Sequence, residues 1–111
     1  MVECVSVYVT AADRSRAEAL GEALVGERLA ACANVFDGLT SIYRWEGRVH
    51  REAEAALLLK TRAALLPRLE ARIRELHAYD LPCIVAWPIV GGSAAYLAWI
   101  AEQTLEPSGG S

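Results

Sequence analysis

Apolar and polar residues alternate from Val2 to Thr10, with Val5, Val7 and Val9 on one face and Cys4, Ser6 and Tyr8 on the other. A period of two is that of a β-strand, whose successive side chains point to opposite sides. The period then changes. Asp13 or Thr10 offers a helix start, and Ser15 to Ala31 is rich in Ala, Leu and Glu, with Leu20, Leu24, Val25 and Leu29 on one stripe. Ala33 to Trp45 returns to a strand pattern broken at Asp37-Gly38, where a glycine inside a strand predicts a bulge or bend. Glu46-Gly47 reads as a tight turn and Arg48 to Lys60 as the returning strand of a long hairpin. Ala55 to Leu59 has no polar alternate face, which predicts a strand buried on both sides.

Thr61 is placed to cap a second helix, with Pro67 in the first turn, where its missing N–H matters least. Leu66, Leu69, Ile73 and Leu76 step by three and four, and Arg68, Arg72 and Glu75 fall on the outer side. His77 to Pro82 reads as a loop. Ile84 to Val90 reads as a fourth strand, which Pro88 confines to an edge or bulge. Gly91-Gly92 turns the chain, and Ser93 caps a last helix from Ala94 to about Thr104 that carries Tyr96, Leu97 and Ile100 inward. The order is β-α-β-β-α-β-α, and its first six elements match the split βαβ arrangement. The expected fold is therefore an α+β, ferredoxin-like sandwich with an antiparallel sheet and two helices on one face. The bare opposite face and the doubly apolar third strand predict that other subunits cover the sheet.

Length and composition sharpen this picture. One domain over 1–105 is expected in a chain of 111 residues, with 106–111 as a flexible tail whose Ser-Gly-Gly-Ser end resembles an added linker. Hydrophobic residues make up 54%, an excess that fits subunit contacts, and no run approaches the length needed to span a membrane. Met1-Val2-Glu3 leads straight into the first strand without the pattern of a signal peptide, so a cytoplasmic location is expected. The net charge is −3, and Glu70 and Glu75 interleave with Arg62, Arg68, Arg72 and Arg74, which disfavours nucleic-acid binding. Cys4, Cys32 and Cys83 are odd in number and lack C-x-x-C spacing, so reduced thiols are expected rather than a disulfide framework or a structural zinc site. Cys4 and Cys83 start neighbouring antiparallel strands and so lie at opposite ends, too far apart to bridge.

Five phrases, in order and at matching spacing, resemble the CutA1 divalent-cation-tolerance family. They are Leu29 to Val35, Gly38 to Gly47, Leu59-Lys60-Thr61, Leu76 to Pro82, and Tyr96 to Ile100. The resemblance covers roughly residues 4 to 104. It implies a ferredoxin-like fold, a tight homotrimer with hairpins reaching across subunits, a likeness in shape to the PII signalling proteins, and a role linked to copper and other divalent cations. It brings no established reaction. Some members associate copper with a Cys near the end of the first strand and with His residues before the fourth. Here those positions read Val9 and Leu76, and only His77 matches.

His77 is thus a candidate ligand for Cu(II) or another divalent cation, or else a hydrogen-bonding loop residue, since tight sites need two to four convergent ligands. Cys83 stands where the family usually has Glu and is the second candidate ligand; as a nucleophile it would need a lowered pKa and a nearby base. Ala12, Ala78, Leu81 and Trp87 are further departures. The cluster at 78–87, Cys83 included, reads either as natural drift or as redesign of an intersubunit pocket or outer face, the latter implying an engineered protein partner. His50, among basic neighbours, reads as solvated. Cys32 reads as a small packed hydrophobe. Tyr43, Trp45, Lys60, Tyr79 and Asp80 are candidates for the subunit interface or an intersubunit pocket, with the two aromatics as anchors and Lys60 and Asp80 as polar contacts. Three classes of function stay open: a trimeric metal-linked binding or signalling protein, a structural trimer without direct metal binding, and an enzyme using Cys83. The absence of a phosphate loop, a Ser-His-Asp set or a paired-carboxylate motif puts the enzyme last.

Overall fold

The computed structural model describes residues 2–106. The elements are β1 (Cys4–Ala11), α1 (Arg14–Gly26), β2 (Cys32–Trp45), β3 (Arg48–Arg62), a 3-10 turn (Ala63–Leu65), α2 (Leu66–Leu76), β4 (Ile84–Pro88) and α3 (Ala94–Gln103). The four strands form one antiparallel sheet in the order β2-β3-β1-β4. This is the expected α+β architecture, with three helices. The linker-like end expected at 106–111 lies, apart from Glu106, outside the described residues. Among the described residues, no helix is long and apolar enough to cross a membrane.

The hairpin follows from local chemistry. Glu46 (φ 52°) and Gly47 (φ 78°) both take the left-handed region that a two-residue type I′ turn requires. The pairing slips by one residue between Phe36 and Leu39, where Gly38 takes φ 76°. That is the bulge foreseen at Asp37-Gly38, and glycine adopts the conformation without a Cβ penalty.

The sheet has two unlike faces. On the near face Val7, Val9, Leu57 and Leu59 are fully buried, together with Leu24 of α1 and Leu69 and Ile73 of α2. Gly21 lets α1 approach this face closely, because a Cβ there would meet Ala33 Cβ at 3.1 Å. The Arg72 guanidinium ties α2 to α1 through both oxygens of Glu27, each at 2.9 Å. The far face is only partly covered by its own chain. There α3 closes over Cys4 and Ala31 through Ile100 and Leu97. The expectation of a wholly bare face is corrected to that extent. Leu57 and Leu59 are sealed by α1 and α2 of the same chain, so they call for no partner. The open apolar area lies elsewhere, on Phe36, Val85 and Trp87, which are 52%, 50% and 47% exposed.

Several boundaries move. The first helix stops at Gly26 rather than Ala31. Arg28 takes φ 62° there, and its guanidinium donates to the Glu102 and Gln103 carbonyls at the end of α3. Leu29 is held off the helix by the Thr61 hydroxyl, which donates to its carbonyl at 2.7 Å. Thr61 is therefore a fully buried strand residue and not a helix cap. Asp13 and Ser93 do cap α1 and α3.

Candidate functional site

The far face carries two polar clusters, one at each end of β1. The first gathers around Thr10. The β3 strand brings Glu52 and Glu54 to the face that Thr10 and Tyr8 share, because Thr10 lies opposite Ala56 and Tyr8 opposite Leu58. The Tyr79 hydroxyl donates to Glu54 Oε2 at 2.7 Å, and the Tyr43 hydroxyl donates to Glu52 Oε1 at the same distance. Glu54 is buried, so its carboxylate needs such a donor. Burial, followed by the Glu54 hydrogen bond, pushes the Tyr79 phenol well above its ordinary range. The hydrogen bond to Glu52 is the main cause that raises the Tyr43 phenol as well.

His77 lies in the same cluster. Its Nδ1 accepts from the Tyr79 backbone N–H at 3.1 Å, so Nε2 carries the proton and donates to the Thr10 carbonyl at 2.6 Å. Both ring nitrogens are spent on the backbone, and the ring packs against Tyr79 with centroids 4.6 Å apart. A cation at His77 would have to break one of these bonds. Cys83 is exposed, but burial of its thiol and the Glu54 charge push its pKa up, against a hydrogen bond to Thr10 that lowers it. A Cys83 nucleophile would require a shift in the opposite direction. Asp80 is exposed and forms no side-chain hydrogen bond or ion pair with the described residues. A shallow cleft of about 240 Å³ opens beside His77 and Tyr79, lined by Ala12, Ala19, Leu20 and Leu76.

The second cluster lies across the sheet. Cys32 pairs with Lys60 in the register of β2 and β3. Lys60 Nζ donates to Asn34 Oδ1 at 2.9 Å and approaches Cys32 Sγ at 3.8 Å. The Tyr96 hydroxyl is 3.4 Å from the same sulfur, and Lys60 Nζ sits 5.9 Å from the Tyr96 ring centroid. Tyr96, expected inside the core, is thus 41% exposed and faces this cluster. Cys32 is a polar-site thiol rather than a packed hydrophobe.

The five interface candidates fall into different places within one chain. Tyr43 and Trp45 lie on the hairpin arm, Tyr79 and Asp80 in the loop before β4, and Lys60 in the second cluster. Tyr43 and Tyr79 are linked through the neighbouring Glu52 and Glu54, but Lys60 is not part of that group. His50, expected to be solvated, stacks on Tyr43 at 5.3 Å, with Nε2 3.3 Å from the Trp45 carbonyl. Glu52 and Glu54 escaped sequence reasoning. The signal for them was present, since two glutamates spaced by two on a strand must share one face.

Among the described residues, no three His, Cys, Asp or Glu side chains converge to hold a metal ion. Among the described residues, the donor set of a single chain thus falls short of the three or four protein ligands of a zinc-type site.

Comparison with known proteins agrees across the chain. Residues 5–103 match the CutA1 divalent ion tolerance protein family. A divalent-cation tolerance protein CutA from Thermus thermophilus is 47% identical over 98 residues, covering 88% of this chain and 95% of that protein. A chloroplastic CutA protein from Arabidopsis thaliana is 42% identical over 103 residues, covering 93% of this chain and 57% of the plant protein. The chain thus spans little more than half of that relative. The crystal structure of CutA1 from Oryza sativa superposes with a TM-score of 0.92 at 40% identity, over 95% of this chain and 96% of the other.

Proposed function

The chain belongs to the CutA1 divalent ion tolerance family, and on that premise we propose that it acts as a homotrimer in tolerance to copper and other divalent cations. The observation that carries the assembly is the open apolar area on the far face. Phe36, Val85 and Trp87 stay about half exposed in one chain, and the half-buried Tyr8 and Leu58 lie between them. Exposed aromatic and aliphatic side chains on one continuous face mark an interaction surface. Tyr43 and Trp45, on an arm that extends past the bulge, supply further aromatic contacts for a neighbouring subunit.

Cation contact is assigned to the subunit boundary. Among the described residues, one chain lacks three convergent ligands, whereas an assembly can bring copies of the Cys83 loop together. A thiolate ligand suits copper or zinc better than a hard cation. A cytoplasmic setting fits three unpaired cysteines, although the Arabidopsis relative carries a chloroplastic name.

Sedimentation equilibrium at nanomolar concentration tests the assembly, and a trimer mass is expected. Calorimetric Cu(II) titration of the assembled protein tests direct contact, with heat that Cys83→Ser diminishes. Compact single chains would remove the trimer, and flat heats in the wild type would remove direct binding.

A further inference from the structure

Where α1 stops, α2 starts and α3 ends, a cleft of about 550 Å³ opens at one end of the sandwich. Three arginines line it: Arg28 just after α1, Arg62 at the end of β3, and Arg68 in the first turn of α2. Ala101, Thr104 and Leu105 form its wall. Phe36, Val85 and Trp87, which the subunit boundary claims, lie outside this lining.

We propose that the cleft binds a small phosphate-bearing molecule, whose phosphoryl group takes the place that the Glu106 carboxylate now holds on Arg62. The inference is independent of the metal and assembly readings above.

Two of the guanidiniums are set in place by the fold. The Arg62 side chain is only 12% exposed. Its Nε and Nη2 both donate to the Ala101 carbonyl, and Nε also donates to the Thr104 hydroxyl at 3.1 Å. Arg28 donates from Nε to the Gln103 carbonyl at 3.1 Å and from Nη2 to the Glu102 carbonyl at 3.0 Å. These carbonyls form the negative end of the α3 dipole, which favours cations there. Both side chains are thus ordered before a ligand arrives, which lowers the cost of binding. Among the described residues, Nη1 of Arg28, Nη1 of Arg62 and the whole Arg68 guanidinium have no hydrogen-bond partner, so each keeps donors for a ligand.

The chain already places an anion in this cleft. Glu106 Oε2 lies 3.2 Å from Arg62 Nη2, and the Glu106 side chain is 73% exposed. An ion pair so open to solvent is weak and readily displaced. With Glu106 displaced, three positive charges face the single negative charge of Glu102. A phosphoryl group offers three oxygens where a carboxylate offers two, and guanidinium forks match it bidentately. Arginines supplied by three different elements therefore suit phosphate better than a second carboxylate. The volume falls in the range of small-molecule sites.

Equilibrium dialysis of the whole protein against radiolabelled pyrophosphate, in buffer freed of divalent cations, tests the site. Saturable binding of one pyrophosphate per chain is expected, with citrate competing at least about tenfold more weakly. Arg68 is exposed and unbonded within the described residues, so Arg68→Gln should fold normally and weaken pyrophosphate about tenfold. Glu106→Gln removes the internal competitor and should tighten it about threefold. Arg74→Gln, on the same helix but paired with Glu70, should leave the affinity unaltered. No saturable binding up to millimolar concentration would overturn the proposal. So would an affinity unchanged in Arg68→Gln, an equal loss in Arg74→Gln, weaker binding in Glu106→Gln, or citrate bound as tightly as pyrophosphate.

Discussion

The two faces of one sheet show how similar sequence patterns meet different ends. On β3, Leu57 and Leu59 point to the near face and are completely buried. Glu54, Ala56, Leu58 and Lys60 point the other way, toward a face that still exposes Phe36, Val85 and Trp87. Both faces are apolar at the centre of the sheet. The near face finds its cover in α1 and α2, which the chain itself supplies. The far face has only α3, which seals the Cys4 end and leaves the rest. Hydrophobicity thus specifies that a face will be covered, while topology decides whether the same chain does it. The polar residues follow the same division: both chemical clusters lie on the far face, where α1 and α2 do not exclude water.

That contrast can be broken from either side. The largest effect is expected from Val85→Asp on the far face. It sets an unpaired charge into the proposed subunit boundary once per chain, at several kcal/mol for each copy. The assembly should dissociate, while the far-ultraviolet circular dichroism of the single chain stays nearly unchanged; an intact trimer would remove this face from the boundary. Leu57→Ala on the near face should do the reverse. It opens a cavity at a fully buried site and should cost about 3 kcal/mol of folding stability in urea, with the subunit stoichiometry of the folded fraction unaltered.

The smallest effect is expected at Tyr79→Phe, which removes the donor to the buried Glu54 carboxylate. It should cost about 1 kcal/mol near pH 7. The sign with pH is set by the raised phenol. The folded state holds the Tyr79 proton more tightly than the unfolded chain does. The stabilisation is therefore complete below about pH 10, the ordinary phenol value, and is lost as pH rises through the folded value. Urea midpoints measured between neutral and strongly alkaline pH should fall more gently in Tyr79→Phe than in the wild type. Parallel curves would show that the Tyr79–Glu54 bond carries no such linkage.

Much of this architecture was legible in the chain. The alternation in β1, the Glu46-Gly47 turn, the Gly38 bulge, the stripe of α2 with Pro67 in its first turn, and the caps Asp13 and Ser93 are all local effects. Each depends on residues within a few positions of one another, so sequence displays them directly. The misplacements share the opposite cause. Leu29 leaves α1 because Thr61, distant in sequence, binds its carbonyl, and that contact also draws Thr61 into the strand. Tyr96 turns away from the core because Cys32 offers its hydroxyl a partner and Lys60 lies over its ring.

The candidate site divides in the same way. Family resemblance pointed to His77, Tyr79, Tyr43 and Lys60, but their partners were set by packing. Only the fold engages both nitrogens of His77 with backbone, aligns Glu52 and Glu54 beneath the two tyrosines, and sets Lys60 and Tyr96 beside Cys32. By itself the sequence determined the element order, the turns and caps, and the apolar character of both sheet faces, because these arise from periodicity and short-range backbone preference. Tertiary structure alone decided which face is sealed within the chain and which side chains share a charge or a proton, because those depend on distances between segments remote along the chain.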